Sequence, residues 1–162
     1  MTPTVVTIGV YGFTAESFFL TLQAAHVDTF CDLRERRGVR GSAYAFANRE
    51  RLQQRLQELH IRYIHAKELA PSASIRALQT QEDKKQHEQK RSREKLSARF
   101  IDTYQQNYLA IFDAHRFLQQ CGDDTHVLAL FCVEREPAAC HRSLVAERLE
   151  QDLQLVVIHL LP

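Results

Sequence analysis

Apolar residues come in two rhythms along this chain. Short runs, Val5-Val6-Thr7-Ile8-Gly9-Val10 (β-branched and apolar), Val27 to Leu33, Ile61 to His65, Val127 to Phe131 and Leu155 to Leu160, read as strands. The run Val127-Leu128-Ala129-Leu130-Phe131 is too apolar for a half-exposed strand and reads as a buried strand of a parallel sheet. Between these runs, apolar residues recur at helical spacing: Phe18, Phe19, Leu22 and Ala25, then Leu52, Leu56 and Leu59, and later Leu144, Val145 and Leu149. Phe100 to Phe117 predicts one strong amphipathic helix, ending near Cys121-Gly122. The resulting order is strand, helix, strand, helix, strand, long helical excursion, strand, helix, strand. It predicts one α/β domain over 1–162, with a mostly parallel sheet of about five strands and helices on both faces.

The pattern lapses once. Ala70-Pro71-Ser72 breaks the chain, and Gln79 to Lys95 is almost wholly polar, so 70–95 reads as a polar helical insertion, exposed or mobile. Thr14 and Asn48 are expected to cap the first two helices. Gly9 and Gly12 permit a tight turn with close backbone approach after the first strand. Pro137 suits a first helical position, which puts Cys140, His141 and Arg142 in the opening turns of the helix after the fourth strand.

Composition adds limits. The 162 residues are 44% hydrophobic and 25% charged, ordinary for a globular chain. Net charge is +1 and the pI near 7.8, so nucleic-acid binding can rest only on local clusters. No apolar run approaches the roughly 20 residues of a membrane helix, and no secretion signal is read at the start, so no membrane partner and a cytoplasmic location are expected. The four cysteines, 31, 121, 132 and 140, are expected as free thiols.

The chemistry concentrates where strands hand over to helices. Cys132, Glu134, Cys140, His141 and Arg142 fall at the junction after the fourth strand, where open α/β sheets bind ligands. Free amides and the positive end of a helix dipole favour an anion there. The second strand ends in Asp32-Leu33-Arg34, followed by Arg36, Arg37 and Arg40 on a loop that contains Gly38 and Gly41. Arginines suit bidentate phosphate or carboxylate contacts. His65 closes the third strand on the same predicted edge. Lys84, Lys85, Lys90, Arg91, Arg93 and Lys95 can reach phosphates, but their mixed-charge run reads better as a solvated face.

Thr7-Ile8-Gly9 with Gly12, Asp32-Leu33-Arg34, His65 with Leu69, Tyr104 and Tyr108, and Cys132-x-Glu134 with Cys140-His141-Arg142 together resemble the domain-of-unknown-function 488 family. The likeness runs from the first strand to the last, and the Cys-x-Glu and Cys-His-Arg spacing is its most specific part. The resemblance implies a compact α/β domain and no settled activity. The chain departs from the family pattern at Val10-Tyr11 and at Ala70.

Three readings of the site stay open. As an enzyme, Cys140 is the nucleophile, its thiolate favoured by the helix dipole and nearby positive charge. Glu134 or Asp32 moves protons, Arg142 and Arg34 hold an anionic substrate, and His141, Gly9, Gly12, Arg36 and Arg37 complete the ligand site. The phosphatase pattern Cys-x5-Arg is absent, since Ala146 and Ala138 stand at the positions where Arg is needed. As a binding module, the same groups hold a nucleotide or nucleic-acid phosphate without chemistry. As a metal site, Cys132, Cys140 and His141 suit zinc in type, but adjacent helical residues diverge by roughly 100°. No metal and no cofactor are therefore expected. The partner expected is a phosphate-bearing small molecule or a nucleic acid, bound by the loops after the first, second and fourth strands.

Overall fold

The computed structural model describes residues 2–162. Its strands are β1 (Thr4–Ile8), β2 (Thr29–Asp32), β3 (Arg62–His65), β4 (Val127–Phe131) and β5 (Val157–Leu160). They form one sheet in the order β3-β2-β4-β1-β5, every pairing parallel. The helices are α1 (Ala15–Ala24), α2 (Arg49–Glu58), α3 (Ala73–Lys85), α4 (Ala98–Asn107), α5 (Ala114–Cys121) and α6 (His141–Leu153).

The period-2 alternation of the strands sorts their side chains into two apolar layers. Val6, Ile8, Phe30, Ala129 and Phe131 pack with Phe18 and Leu22 of α1 and Leu52 and Leu56 of α2. Val5, Cys31, Leu128 and Leu130 pack on the other face with Phe100 and Tyr104 of α4, Phe117 of α5 and Val145 and Leu149 of α6. Each large apolar side chain buried this way stabilises the fold by about 1.5–3 kcal/mol. β4 is last but one in the chain yet lies at the centre, between β1 and β2. The carboxyl ends of β2, β4 and β1 are thus neighbours where the strand order reverses, the place where a parallel sheet opens a crevice.

Local signals decide the element ends. Thr14 caps α1 as expected, in a reciprocal pair with Ser17. Asn48 precedes α2 but does not cap it; its Oδ1 accepts from Val39 N at 2.8 Å instead and pins the arginine loop. The long helix expected over 100–121 is two. After Tyr108 the backbone tightens into a 3-10 turn, Leu109–Ile111, and Asp113 then caps α5 by accepting from Arg116 N at 3.0 Å. This kink brings the Phe112 and Phe117 rings to 5.4 Å. Pro137 opens a separate 3-10 turn, Pro137–Ala139, and Cys140 is extended (φ −137°, ψ 144°), so α6 begins at His141.

The polar stretch is neither fully exposed nor a loose insertion. α3 buries Gln79 and Asp83, and Arg93 from the following loop is buried against them. Gln79 Nε2 donates to Asp83 Oδ1 at 2.7 Å, and its Oε1 accepts from Ser97 N at 2.8 Å. Leu96 N donates to Ala138 O at 2.8 Å. The stretch folds back over the crevice and forms one wall of it.

Candidate active site

A pocket of about 420 Å³ opens at the carboxyl ends of β2 and β4. Its floor is Leu33, Cys132, Glu134, Cys140 and His141; buried Arg34 and Arg93 line its walls, and Glu35, Arg36, Arg76 and Lys90 its exposed rim, where Arg76 is paired with Glu35.

Cys140 owes its position to the break before α6. As the residue preceding the helix, it gives its carbonyl to Ser143 N (3.2 Å) and Ser143 Oγ (2.9 Å), while its side chain caps nothing. The sulfur is left to face the pocket beside the positive end of α6. His141 Nε2 donates to Leu33 O at 3.1 Å, which turns Nδ1 toward Cys140 Sγ at 3.8 Å. The Tyr104 ring lies 5.6 Å from the imidazole, and its hydroxyl donates to Leu69 O at 2.7 Å.

The electrostatics follow from this geometry. Burial pushes the Cys140 thiol up, but a hydrogen bond from Cys132, the His141 imidazolium and the Arg142 guanidinium together hold it well below the ordinary thiol value. Burial also opposes the His141 imidazolium, yet the Cys140 thiolate beside it raises its pKa above the ordinary one. Cys132 is raised well above the usual range, first by its hydrogen bond to Cys140 and then by burial, so it stays a thiol and a donor. Burial, then the Cys140 charge, lift Glu134 above the ordinary carboxyl value against the opposing pull of Lys90 and Arg93. Glu134 Oε1 lies 3.1 Å from Arg93 Nη2 and 3.6 Å from Lys90 Nζ, whereas Oε2 is buried without a partner. Arg93 also pairs with Asp83 at 2.7 Å, so the polar stretch is tied to the site through one buried ion network.

Several residues expected to move protons or to bind ligand are engaged with other groups of the protein. Asp32 is wholly buried and satisfied: Oδ1 accepts from Arg34 N (3.1 Å) and Nε (2.9 Å), and Oδ2 from Arg34 Nη2 (2.8 Å) and the Tyr63 hydroxyl (2.7 Å). Burial and the Asp32 charge push Tyr63 up to about 12. Arg34 lines the pocket, but its Nη1 is given to Ala47 O at 2.9 Å. Arg142 is fully buried; it donates to Glu134 O (2.6 Å) and Arg135 O (3.1 Å) and fixes the loop that carries Glu134. Asp32 and Arg142 therefore flank the pocket without lining it. His65 Nε2 lies 2.6 Å from Arg34 O and holds the same loop.

Gly9 and Gly12 do not line the pocket either. A Cβ on Gly9 would overlap the Glu134 carbonyl, so this glycine lets the β1 exit close onto the β4 exit, where Val10 N donates to Val133 O at 2.9 Å. Gly12 sits at φ +91° against Pro162. Arg36 reaches the rim, and Arg37 turns to the Tyr63 hydroxyl. The loop after β1 thus supports the site from behind, and the polar stretch takes the place expected for it. Arg93 and Lys90 had only one signal in the sequence, an almost wholly polar, charge-rich stretch.

The donor atoms of Cys132, Cys140 and His141 all lie within 4.8 Å of one another. Divergence of neighbours around a helix does not keep Cys140 and His141 apart, because Cys140 is extended and outside the helix. Two thiols and an imidazole are the donor types of a three-ligand zinc centre with an open position. Among the described residues no helix is long and apolar enough to cross a membrane.

The family model described as "Domain of unknown function DUF488" matches residues 14–149, from the cap of α1 to the middle of α6. No curated protein and no solved structure matches the chain.

Proposed function

The chain belongs to the DUF488 family, a domain of unknown function, and from its pocket we propose that it is an enzyme with Cys140 as nucleophile, acting on an anionic, phosphate-bearing ligand such as a nucleotide or nucleic acid. One juxtaposition carries this: a thiolate-favouring cysteine, paired with His141 at 3.8 Å, on the floor of a pocket whose exposed rim offers Arg36 and Lys90. Cys140 Sγ bonds to the electrophilic centre, the bond to the leaving oxygen breaks, and the Glu134 carboxyl gives that oxygen its proton. The Glu134 carboxylate then takes a proton from the water that cleaves the adduct, which restores both the thiolate and the acid. Arg36 and Lys90, at the exposed rim, hold the substrate charge.

The test is iodoacetamide labelling of the four cysteines, followed by mass spectrometry across pH, with and without phosphate or nucleotides. Cys140 is expected to alkylate at lower pH than an ordinary thiol and to be protected by the anion. Labelling with an ordinary pH profile and no protection overturns the proposal. Tight nucleotide binding retained in Cys140→Ser, with no turnover by the wild type, identifies a binding module instead. The 4.8 Å donor cluster favours a second reading, a Cys2His metal centre. Stoichiometric zinc in the purified protein, with Cys140 shielded from alkylation until a chelator is added, would establish it.

A further inference from the structure

Gly38, Lys90 and Val133 line both the Cys140 pocket and a second cleft of about 410 Å³. Arg40, Lys90 and Arg91 supply the charge of that cleft, Tyr11 and Gln89 the rest of its polar lining, and no acidic residue lines it. Arg36, Arg40 and Arg91 pair with no carboxylate among the described residues.

Arg91 is exposed, yet it is held in place. Its guanidinium carbon sits 5.4 Å from the centre of the Tyr11 ring and 5.4 Å from that of Tyr44, and its Nη2 donates to Arg40 O at 3.1 Å. The two tyrosines brace each other edge to face at 5.3 Å. A long side chain fixed by two rings has already lost the freedom that an ion pair would otherwise have to remove, so its remaining N–H groups are preorganised for an anion.

We propose that the two clefts form one trough for a single-stranded nucleic acid, with a terminal nucleotide over Cys140 and the next phosphates on Lys90, Arg91 and Arg40. This rests on the Cys140 site proposed above and specifies its substrate as a strand end, not a free nucleotide. Each cleft is of single-ligand size, in the range of about 300–1,000 Å³, so the pair accommodates more than one nucleotide. A positively charged groove that tracks the backbone is the electrostatic part of a sequence-tolerant single-strand site, and Arg40, Lys90 and Arg91 supply it here.

Fluorescence anisotropy with labelled oligothymidylates of one, two, four and eight nucleotides tests this, alongside Cys140 alkylation in the same mixtures. Affinity is expected to rise at least about tenfold from one to four nucleotides and then to level off. The double variant Arg40→Gln/Arg91→Gln is expected to bring the tetranucleotide down to mononucleotide affinity. The same change should reduce its salt slope by about 0.7 for each phosphate no longer neutralised. Mononucleotide affinity should not change. Arg40→Gln alone, an exposed change, is expected to give part of the loss and guards against misfolding of the double variant. Equal affinity at every length, tighter binding of duplex, or equal competition by polyglutamate overturns the trough. If phosphate and mononucleotide protect Cys140 while length has no effect, the trough fails and the nucleophile stands. If protection of Cys140 rises with length and follows Arg40 and Arg91, but Cys140 alkylates with the pH profile of an ordinary thiol, the nucleophile fails and the trough stands; if nothing protects Cys140, the single trough fails.

Discussion

Two substitutions at single residues separate the forces acting on the site. Cys132 is the donor that helps hold Cys140 as a thiolate. Cys132→Ala is expected to move the Cys140 alkylation profile to higher pH, at a stability cost of about 1 kcal/mol for one small buried group. An unmoved profile would mean that His141 and Arg142 suffice. Glu134 is the sharper case, because burial and the Cys140 charge raise its pKa while Lys90 and Arg93 lower it, and the upward causes prevail. A raised folded value means that the native state binds more protons than the unfolded chain once pH exceeds the unfolded value, about 4.3. The contribution of Glu134 to stability is then lost as pH rises through the folded value. Glu134→Gln should therefore compare worst with the wild type near pH 4 and gain on it toward pH 7, as read from urea midpoints. Loss of ground with rising pH would show that the two cations outweigh burial.

The elements around the site are joined by very few side chains. Arg93 links α3, through Asp83, to the β4 exit, through Glu134. Arg93→Ala leaves Asp83 with Gln79 alone and Glu134 with Lys90 alone, and is expected to cost about 3 kcal/mol, the low end for removing one partner of a buried pair. Because the loop from 86 to 97 then loses its anchor, limited trypsin digestion should cut first at Lys90, Arg91 or Lys95; unchanged digestion would show that Leu96 and Ser97 hold the loop unaided. On the opposite side of the site, Gly9→Ala must push the Glu134 carbonyl away, an overpacking cost of about 1–3 kcal/mol, with slower Cys140 labelling as its local signature. The elements themselves were legible in the sequence wherever an apolar period ran unbroken, as in β4 and α1. The break between α4 and α5 was not, because Tyr108, Leu109 and Phe112 continue a helical spacing and the capping role of Asp113 shows only in three dimensions. The fold of 79–95 was hidden for a related reason. Buried Asp83 accepts from both Gln79 and Arg93, and a buried polar network has no hydrophobic period to betray it.

Across the whole molecule, the strand order gathers the chemistry at one end. Cys132, Glu134, Cys140 and His141 were legible as a site because a parallel sheet binds ligands at its carboxyl edge, and the β3-β2-β4-β1-β5 order puts the β2 and β4 exits side by side. What the sequence could not assign was which charges face the ligand and which fasten loops; Asp32, Arg34 and Arg142 read identically until their partners are known. At that edge Arg34, Arg76, Lys90 and Arg93 are paired with Asp32, Glu35, Asp83 and Glu134, so the local positive excess rests on Arg36, Arg40 and Arg91, which pair with no carboxylate among the described residues. A chain of pI near 7.8 thus carries a local patch of free guanidinium groups. If the local field governs binding, affinity for a short single-stranded oligonucleotide should survive at pH 8.5, where the molecule as a whole is negative, because guanidinium groups do not titrate below about 12. At fixed ionic strength the dissociation constant is expected to change less than about threefold between pH 7.0 and pH 8.5, under 1 kcal/mol. A tenfold or greater loss over that interval would make net charge the driving term and leave the arginine-lined edge without a specific role.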